Sequence, residues 1–499
     1  MTTHHEIPAT CHRAAHALAE LSHLPTAARA AILDSIAASL DARRDDVLST
    51  CAEETALTID ELTPEFARMT GTLRMFANLI REGSWVRAAI DTPSADHLGP
   101  NHDLRKLLVP LGPVAVFGSS NFPLAYGVCG GDTASALAAG CPVIVKEHPA
   151  HPRTGRLLAG IAQEAIGRAG FSAQLLGYVL NEDPKDHSTA EQLLRDFSIA
   201  AVGFTGSIPG GLAIERIARE RDTPIPVFAE MGSNNIIVVT GRAATARTDD
   251  IAAQLAESLL QRFGQQCTSP GTILVELGDA GSRFTAALAE RIRATPGRDM
   301  LAPWIKSAYE RRIAEVSAAP GIRDLARGAA KPGQRGSFAC LLELNVGYSE
   351  TVAAFRTDVL RDEIFGPAAI IVRLPIDMID ELRPRGSLSY SIFGEPDDVA
   401  LDWTWDAALA TGTAFAGRII FNGPPTGVRV ATAMVHGGPF PATNRPETTA
   451  VGPLAIERWC RPICFQNAPD ALLPPELRNA NPLGIWRTAN GQLSKSPVA

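Results

Sequence analysis

Basic runs and long apolar runs are both missing from this chain of 499 residues. Its formal net charge is -8, and Lys and Arg never gather into the basic patch that a nucleic-acid surface requires. Each apolar stretch meets Gly, Ser, Asn or a charged residue before it is long enough to span a membrane. Residues 1–6 also lack the basic and then apolar pattern of a secretory signal. We therefore expect a soluble, cytoplasmic protein that binds neither nucleic acid nor membrane.

Cysteine is too sparse to build a disulfide framework. The eight cysteines are scattered along the chain, whereas disulfide scaffolds concentrate them in short secreted domains. Cys460 and Cys464 form the only close pair in the sequence, and no second pair or nearby His completes a tetrahedral zinc site. The sequence therefore predicts an intracellular protein with no bound metal.

The chain is long enough for two or three domains, and its 45% hydrophobic and 20% charged residues are typical of globular proteins. Hydrophobic periodicity predicts helices over residues 10–90, followed by a polar link over residues 91–103. Over residues 107–229, apolar strands alternate with helices, which predicts a parallel, doubly wound sheet buried on both faces. One of these predicted helices covers residues 124–139.

A second alternating series begins at Asn235 and predicts a second α/β domain. Its expected elements are strands 236–239, 272–277, 369–374 and 418–422 and helices 246–263, 280–294 and 305–318. The tail from Pro462 onwards is rich in Pro and Asn, which favours an arm or a surface segment over a third core.

The most informative stretch of the sequence is Gly264-Gln265-Gln266-Cys267-Thr268, between a predicted helix and a predicted strand. A Gly before a Cys at such a junction allows a sharp turn that brings the thiol and its own amide towards one point. This geometry suits a nucleophile that also stabilises the oxyanion it creates. A free cysteine is more often a small buried hydrophobe, so the pentapeptide alone leaves both interpretations open.

Two further polar residues follow predicted strands of the first series. Glu230 ends the strand over residues 225–229, at the carboxyl edge where active sites form, and a Glu with a raised pKa could activate a water molecule. Asn121 precedes Phe122 and Pro123, and its amide could donate a hydrogen bond to an oxyanion. A helix cap or surface charge for Glu230, and ordinary turn chemistry for Asn121, are the alternatives.

A glycine-rich turn is a candidate phosphate site. Phe204-Thr205-Gly206-Ser207 closes a strand and the next helix follows, so backbone N–H groups point out at a helix N-terminus. The spacing is not the Gly-x-Gly-x-x-Gly fingerprint, and an ordinary turn between strand and helix stays open as an interpretation.

Two charged residues are candidates for ribose recognition. In dinucleotide-binding folds, an acid near the end of the second strand commonly binds the ribose 2′-OH and repels a 2′-phosphate. Lys146 occupies that position here, so a dinucleotide with or without the 2′-phosphate could bind. Glu363 could accept hydrogen bonds from a ribose diol while Phe365 packs on a ring. A solvated lysine and a charged turn are the alternatives.

These motifs occur in the order typical of the aldehyde dehydrogenase superfamily, and the whole length of the chain resembles that family. The motifs are Asn121-Phe-Pro, Lys146, Phe204-Thr-Gly-Ser, Glu230-Met-Gly, Gly264-Gln-Gln-Cys267-Thr and Glu363-Ile-Phe-Gly-Pro. The resemblance implies an α/β fold with a Rossmann-like cofactor domain, a second α/β catalytic domain and a small oligomerisation element. It also implies NAD or NADP as cofactor and a homodimer or homotetramer.

The resemblance assigns a role to each candidate. Cys267 is the nucleophile, Glu230 is the general base, and Asn121 forms the oxyanion hole with the Cys267 amide. The cofactor residues are Lys146 and Glu363 on the two riboses, Gly206 and Ser207 at the pyrophosphate, and Phe204 and Phe365 beside them. The implied domains are residues 1–92 and 113–231 for the cofactor, 232–440 for catalysis, and 93–112 and 441–499 for oligomerisation or bridging.

Other segments resemble the 2,5-dioxovalerate dehydrogenase branch of this superfamily, which oxidises 2-oxoglutarate semialdehyde to 2-oxoglutarate. These segments begin at Ser119, Gly130, Phe421 and Met434. The last of them contains His436 and is similar to a loop that places a His near the nucleophile in a related long-chain aldehyde dehydrogenase. The resemblance adds His436 to the catalytic residues, since an imidazole there could help hold the thiolate or relay a proton, and a loop histidine that merely packs is the alternative.

The branch resemblance predicts an aldehyde with a distal carboxylate, and hence a cation at the mouth of the pocket. Arg429 is the candidate and Arg418 a weaker one, because an Arg fork can hold a carboxylate with two hydrogen bonds. Phe122 and Tyr126 are assigned to the aldehyde pocket.

Several alternatives remain at this point. Ser120 stands where the family often has Trp, and the wider pocket could admit an alkyl chain, as in a long-chain fatty aldehyde dehydrogenase. A CoA-acylating enzyme is disfavoured by Glu230, and an inactive scaffold by the intact set of catalytic residues. For the cofactor, Lys146 permits both forms, while Pro149 and the acidic pair Glu182-Asp183 offer a 2′-phosphate little extra binding, which predicts dual use.

Overall fold

The computed structural model describes residues 6–93, 99–181, 187–382, 384–395 and 403–498. Its α-helices are α1 (Ile7–His23), α2 (Thr26–Ala42), α3 (Arg44–Glu54), α4 (Ile59–Glu82), α5 (Gly131–Ala139), α6 (Pro152–Arg168), α7 (Ser188–Arg195), α8 (Ile208–Arg219), α9 (Gly241–Leu260), α10 (Asp279–Arg293), α11 (Pro303–Ser317), α12 (Tyr348–Ala354), α13 (Asp358–Arg361) and α14 (Trp403–Phe415). Its strands are β1 (Ala89–Asp91), β2 (Leu104–Pro110), β3 (Val114–Phe117), β4 (Val143–Lys146), β5 (Leu176–Val179), β6 (Ala201–Thr205), β7 (Val227–Glu230), β8 (Asn235–Val239), β9 (Pro270–Glu276), β10 (Ile322–Arg327), β11 (Cys340–Leu344), β12 (Ala368–Leu374), β13 (Ser387–Phe393), β14 (Ala416–Phe421), β15 (Cys460–Gln466), β16 (Arg487–Ala489) and β17 (Gln492–Ser494). Short 3-10 helices cover Ser84–Val86, Ala173–Leu175, Gln261–Gly264, Ile376–Glu381, Pro453–Trp459, Asp470–Leu472 and Pro475–Leu477.

Five short parallel strands form the first sheet, in the order β5-β4-β3-β6-β7. Their side chains are buried almost throughout, as expected for a sheet covered by helices on both faces. Helices α5 to α8 alternate with these strands along the chain. The doubly wound parallel sheet predicted from the alternating sequence pattern is confirmed.

The second sheet has seven strands in the order β10-β11-β12-β9-β8-β13-β14, and β10 is antiparallel to β11. The expected strands over residues 236–239, 272–277, 369–374 and 418–422 correspond to β8, β9, β12 and β14. Strand β13 was not predicted, because Ser387, Ser389 and Ser391 occupy alternate positions and conceal the apolar pattern. These serines are buried, and both the N–H and the hydroxyl of Ser389 donate to Asn235 Oδ1.

Two predicted helix boundaries are wrong. The expected helix over residues 124–139 begins only at Gly131, and tight turns precede it. A Cβ on Gly127 would lie 1.9 Å from the carbonyl oxygen of Pro123, so these turns depend on glycine. The expected helix over residues 246–263 begins at Gly241 and ends at Leu260, and a 3-10 turn follows it.

The third sheet has the order β15-β2-β1-β16-β17. Strand β2 pairs antiparallel with both β1 and β15, and β1 pairs parallel with β16. The tail from Pro462, which we expected to be an arm or a surface segment, therefore supplies strands to a sheet. Within the described part of the chain, no helix is both long and apolar enough to cross a bilayer.

Helix α4 connects the N-terminal helices to the first sheet. It begins at a capping box formed by Thr58 and Glu61 and ends at Gly83, which has a φ of 87°. Its apolar residues recur at helical spacing and pack into the main core. The same helix carries Glu65 and Arg68, which contact the loop between β3 and α5.

Candidate active site

Polar side chains gather at the carboxyl edge of the first sheet. Asn121 follows β3, Lys146 ends β4, Ser207 follows β6 and Glu230 ends β7. The strands are parallel, and in the register of β6 and β7 Thr205 is the partner of Glu230. Ligands bind at this edge in doubly wound sheets. Four residues proposed from the sequence therefore lie along one edge.

Cys267 lies on a loop that follows three residues with left-handed backbone conformation. Residues 262–264 have φ values of 51°, 53° and 68°, all in the left-handed region. A Cβ on Gly264 would lie 2.3 Å from the carbonyl oxygen of Gly366, so only glycine permits this approach. The loop that carries Cys267 is thereby packed backbone against backbone on the loop that carries Glu363.

Buried amides hold the Cys267 loop in place. Asn235 Nδ2 donates to the carbonyl oxygens of Cys267 at 2.8 Å and Ser269 at 2.9 Å. Gln265 Oε1 accepts from the backbone N–H of Leu301 at 2.9 Å. Because the residues on both sides of Cys267 form hydrogen bonds with buried groups, the loop holds the thiol in a fixed position.

Asn121 is brought to the same loop. The side-chain Nδ2 of Asn121 donates to the backbone carbonyl oxygen of Gln265 at 3.0 Å. The backbone carbonyl oxygen of Asn121 accepts from Arg262 Nη1 at 2.8 Å. Arg262 in turn forms an ion pair with buried Glu65 at 2.7 Å. A side-chain amide carries two protons, and the second proton of Asn121 suits an oxyanion on a carbon bound to Cys267.

Glu230 is a buried carboxyl group beside an ion pair. Its Oε2 has no hydrogen-bond partner among the described residues. Burial raises the pKa of Glu230 to about 8, which nearby Arg458 opposes and Asp132 reinforces. Arg458 and Asp132 form a buried ion pair with an N···O distance of 2.6 Å. A carboxyl group that titrates near neutral pH is suited to general-base catalysis.

His436 approaches the thiol from the other side. Its Nε2 lies 3.8 Å from Cys267 Sγ, and its ring is buried. The backbone N–H of His436 donates to Thr449 Oγ1 at 3.0 Å. The next turn packs closely on the second sheet, since a Cβ on Gly438 would lie 2.5 Å from the carbonyl oxygen of Ser387. The sequence prediction that this loop faces the Cys267 pocket agrees with this contact.

The thiol and the imidazole are both neutral at physiological pH. Burial raises the pKa of Cys267 to about 12, Glu363 and Glu230 add to the rise, and Arg68 opposes it. Burial also lowers the pKa of His436 to about 3. Cys267 therefore has to lose its proton before it can act as a nucleophile, and an imidazole with so low a pKa can relay that proton but cannot retain it.

The turn after β6 lies at the surface, although the N–H of Gly206 donates to the carbonyl oxygen of Glu230 at 3.0 Å. Gly206 and Ser207 are exposed, and Ser207 caps α8 by accepting from the N–H of Gly210 at 3.3 Å. A Cβ on Gly206 would lie 2.6 Å from the ring of Phe204. The exposed amides at this helix N-terminus, backed by an aromatic ring, fit a dinucleotide pyrophosphate.

Glu363 and Phe365 lie at the other wall of this cleft. A Cβ on Gly232 would lie 2.6 Å from Glu363 Oε2. Burial raises the pKa of Glu363 to about 8, and a hydrogen bond with the backbone of Ser233 opposes the rise. Phe365 is half-buried and packs against the main core. The carboxyl group can accept from a diol at this position.

Lys146 ends β4 with a half-buried side chain. Its Nζ donates to the carbonyl oxygen of Glu147 at 3.0 Å, and burial lowers its pKa to about 8. Pro149 follows on the same loop, whereas Glu182 and Asp183 lie outside the described residues. No cluster of three His, Cys, Asp or Glu side chains suited to a metal ion occurs in the described ranges.

Phe122 and Tyr126 form an aromatic wall next to His436. Their rings meet edge to face at 5.7 Å, and the Tyr126 and His436 ring centres are 6.3 Å apart. Arg68 Nη2 donates to the Tyr126 hydroxyl at 3.0 Å. Arg429 is exposed, with no hydrogen bond or ion pair among the described residues. Its role in substrate binding stays a prediction.

The sequence profile described as "Aldehyde dehydrogenase family" matches residues 1–381, three-quarters of the chain. The chain belongs to the aldehyde dehydrogenase family. The predicted fold class and enzyme class are thereby confirmed: it is an NAD(P)-dependent aldehyde dehydrogenase.

Two characterised relatives resemble the chain over nearly its whole length. Alpha-ketoglutaric semialdehyde dehydrogenase 2 of Azospirillum brasilense is 39% identical over 492 residues, which cover 98% of this chain and 91% of the relative. Alpha-ketoglutaric semialdehyde dehydrogenase of Acinetobacter baylyi is 36% identical, covering 98% and 92%.

Solved structures agree in fold. A glyceraldehyde-3-phosphate dehydrogenase of Methanocaldococcus jannaschii complexed with NADP superposes with a TM-score of 0.76 at 17% identity, covering 93% of this chain and 95% of that one. Proline utilization A of Bradyrhizobium japonicum has a TM-score of 0.77 at 22% identity, covering 93% of this chain and 45% of that one.

Sequence reasoning missed several residues that shape the site of this aldehyde dehydrogenase. They are Glu65, Arg68, Asp132, Asn235, Arg262 and Arg458. Asp132 carried a usable signal, because a single acid at the start of a helix of Ala and Ser predicts a buried cationic partner. Arg68 carried none, since a charge on an amphipathic helix is ordinarily solvated.

Proposed function

We propose that this aldehyde dehydrogenase oxidises 2-oxoglutarate semialdehyde to 2-oxoglutarate. The observation that carries the proposal is the full-length similarity, at 39% identity, to a relative named for this substrate under its synonym alpha-ketoglutaric semialdehyde. The set of side chains around Cys267 supports the same chemistry. A long-chain fatty aldehyde dehydrogenase, which the wide pocket at Ser120 had left open, is not favoured by these relatives.

Cys267 would act as the nucleophile. Its Sγ adds to the aldehyde carbon once the thiol proton has passed to water, and His436 Nε2, which lies 3.8 Å away, would relay that proton without retaining it. The resulting oxyanion rests on the Asn121 amide and the Cys267 N–H. NAD(P)⁺, when bound, supplies a hydride acceptor. The groups that would hold it are Lys146, the turn at Gly206 and Ser207, and Glu363.

Glu230 would complete the reaction. Once the substrate carbon is a thioester of Cys267, its release as a carboxylic acid requires water as the second nucleophile. Glu230 is a carboxyl group in the same pocket whose pKa of about 8 allows it to take a proton from that water. An enzyme that transfers its acyl group to CoA has no need of such a base.

The cofactor form and the assembly belong to the same proposal. We expect the enzyme to use both NAD and NADP, because Lys146 at the end of β4 tolerates a 2′-OH and a 2′-phosphate alike. We also expect a homodimer or homotetramer, with residues 93–112 and 441–499 as the bridging segments. The proposed cofactor and catalytic domains are residues 1–92 with 113–231, and 232–440.

A substrate and cofactor screen tests the proposal. Purified enzyme is assayed for NADH and NADPH formation with 2-oxoglutarate semialdehyde, succinic semialdehyde and decanal. We expect the highest kcat/KM for 2-oxoglutarate semialdehyde, and less than about 100-fold difference between the two cofactors.

Cys267→Ala is the control for this screen. It should abolish oxidation while NADH still binds, as measured by nicotinamide fluorescence, because the dinucleotide site does not include the thiol. Higher kcat/KM for decanal than for 2-oxoglutarate semialdehyde would overturn the substrate, and oxidation by Cys267→Ala would overturn the nucleophile.

A further inference from the structure

Among the described residues, four arginines lie near Asn121 or His436 of the pocket, and two of them are neutralised within the protein. Arg262 is paired with Glu65 at 2.7 Å, and Arg458 is paired with Asp132 at 2.6 Å. Each of these pairs is buried, and a buried charge needs such a partner. Their positive charges are therefore accounted for without a ligand.

The other two arginines, Arg68 and Arg418, have no Asp or Glu partner among the described residues. Arg68 donates to the Tyr126 hydroxyl at 3.0 Å and to the carbonyl oxygen of Val428 at 3.5 Å. Arg418 donates to the carbonyl oxygen of Pro425. Both side chains are half-buried, and their partners are neutral oxygens, so each guanidinium keeps its full charge.

The same short loop brings the two guanidinium groups to one region. Val428 and Pro425, which accept from Arg68 and Arg418, are three residues apart in the segment between β14 and His436. Strand β14 also packs on the His436 loop, since a Cβ on Gly417 would lie 2.4 Å from the carbonyl oxygen of Gly437.

Both arginines are within electrostatic range of the nucleophile. Burial is the main cause of the raised pKa of Cys267, and Arg68 opposes it. Burial likewise lowers the pKa of Arg418, and Cys267 opposes that shift. The Tyr126 ring, over which the Arg68 guanidinium carbon lies at 5.4 Å, is also the neighbour of His436.

We propose that Arg68 and Arg418 together bind the distal carboxylate of the substrate, with Tyr126 beside Arg68. This inference rests on the proposed function and names the residues that would select its substrate. A guanidinium presents a planar fork of donors that matches a carboxylate, and two forks from α4 and β14 would hold it from two sides.

The charge distribution supports this assignment. Glu230 and Glu363 both act on Cys267 electrostatically when they are ionised, so the pocket around the thiol becomes unfavourable for an anionic substrate as the pH rises through about 8. Two unneutralised cations on the side of Tyr126 offset this repulsion. They also favour one orientation, in which the carboxylate points away from the two acids and the aldehyde points towards the thiol.

The test compares an acidic and a neutral aldehyde of equal chain length. The variants Arg68→Met and Arg418→Met keep much of the apolar stem and remove the charge, and Arg68→Lys restores a charge without the fork. Each is assayed with 2-oxoglutarate semialdehyde and with pentanal. Arg74→Met is the matched control, because Arg74 lies on the same helix and pairs with Asp41 at the surface.

We expect the ratio of kcat/KM for the acid to kcat/KM for pentanal to fall about 10- to 100-fold in each Met variant, mainly through KM. Inhibition by glutarate, a dicarboxylate that cannot react, should weaken by a similar factor, and Arg68→Lys should recover part of both. Arg74→Met should keep the wild-type ratio.

The outcomes separate this inference from the proposed function. If wild-type enzyme prefers pentanal, the proposed function fails. If wild-type enzyme prefers the acid and both Met variants keep that preference, the function stands and the two-arginine site is wrong. Equal losses of kcat/KM on both aldehydes would assign the arginines to the stability of the fold or of the thiolate. Arg429→Met is assayed alongside, and a fall in the acid-to-pentanal ratio confined to that variant would place the carboxylate at the outer mouth of the pocket.

Discussion

In the proposed reaction, the buried carboxyl group of Glu230 sets the pH range of thioester hydrolysis. Burial raises its pKa to about 8, and its Oε2 meets no donor among the described residues. A base must be ionised before it accepts a proton from water. Thioester hydrolysis should therefore accelerate as the pH rises through about 8, whereas a thiol with a pKa near 12 would respond much later.

We predict that Glu230→Gln separates the two halves of the reaction. The variant should produce a burst of NAD(P)H equal to the number of sites and then turn over about 10²- to 10⁴-fold more slowly, because hydride transfer does not need the base. Stopped-flow absorbance measures the burst, and the slow phase should lose the rise through pH 8. Slow formation of NAD(P)H without a burst would assign Glu230 to the first step instead.

The same substitution should alter stability in a defined direction. Because the folded-state pKa of Glu230 is raised from the ordinary 4.5 to about 8, protonation favours the folded state, and this contribution is lost progressively as the pH rises between these two values. Gln cannot ionise, so the variant should resist unfolding better than wild-type enzyme above about pH 8. Thermal melting at pH 6 and pH 9 in parallel provides the comparison.

At the residue scale, the candidate active-site residues could be predicted from the sequence where each stands in a short local motif. Cys267, Asn121 and Glu230 each stand in a short motif, and the structure brings them into one pocket. Arg68 illustrates what could not be predicted. Its helix is recognisable from periodicity, but whether one charged residue of that helix faces water or a pocket depends on the loop packed against it.

Helix α4 connects two loops of the active site through one ion pair. Glu65 Oε1 accepts from the N–H groups of Leu124 and Ala125 at 2.8 and 2.9 Å, and its other oxygen is paired with Arg262. Arg262 then donates to the carbonyl oxygen of Asn121. The position of the proposed oxyanion donor therefore depends on a helix far from it in sequence.

We predict that Glu65→Gln lowers the free energy of unfolding by about 3–5 kcal/mol, because it leaves Arg262 as a buried charge without a partner. It should also lower kcat, since Asn121 loses its support. Urea denaturation and steady-state kinetics measure the two effects. In the control Glu191→Gln, an exposed pair with Arg195 is lost, and the expected change is about 0–1 kcal/mol.

A double-mutant cycle makes this prediction stricter. If the ion pair is responsible, Glu65→Gln combined with Arg262→Met should cost clearly less than the sum of the two single variants. Additive losses would show that the two side chains act separately and that α4 does not connect the loops in this way.

The same helix explains one failure of sequence reasoning at the level of elements. Residues 124–130 have the small apolar side chains of a helix, yet Glu65 takes the N–H groups of Leu124 and Ala125, and Gly127 and Gly130 pack on nearby carbonyls. A tertiary contact thus replaces the first helical turns. Strands such as β12, whose apolar run has no competing partner, were predicted to within one residue.

On the scale of the whole molecule, the third sheet ends at β15 with an edge that no strand of the described residues covers. Strand β15 pairs with β2 on one side and is the last strand in the order. In an antiparallel pair, every second residue of a strand exchanges backbone hydrogen bonds with its partner strand. The N–H of Leu111 donates to the carbonyl oxygen of Trp459, and the N–H of Asn467 donates to the carbonyl oxygen of Asp103. The odd-numbered residues of β15 therefore form hydrogen bonds with β2, and the even-numbered ones alternate with them. In this alternation the peptide groups of Pro462 and Cys464 face away from β2.

An edge of unpaired N–H and C=O groups is suited to pairing with another copy of the chain, and the tail that contains β15 was expected to bridge subunits. We predict that Cys464→Pro shifts the enzyme from its oligomer to a smaller species in sedimentation velocity. Proline removes the outward N–H and is tolerated in this extended strand, because Pro462 already occupies the equivalent position and the pairing with β2 does not use that group.

Cys464→Ser is the matched control, since it changes the same exposed side chain and keeps the N–H. It should sediment as the wild-type enzyme does. The pocket around Cys267 is built from the first two sheets, so Cys464→Pro should retain bound NADH and the glutarate inhibition of wild-type enzyme even as the assembly dissociates. If Cys464→Pro keeps the wild-type sedimentation coefficient and folds normally by circular dichroism, the subunits meet elsewhere and β15 is an edge that the protein leaves open.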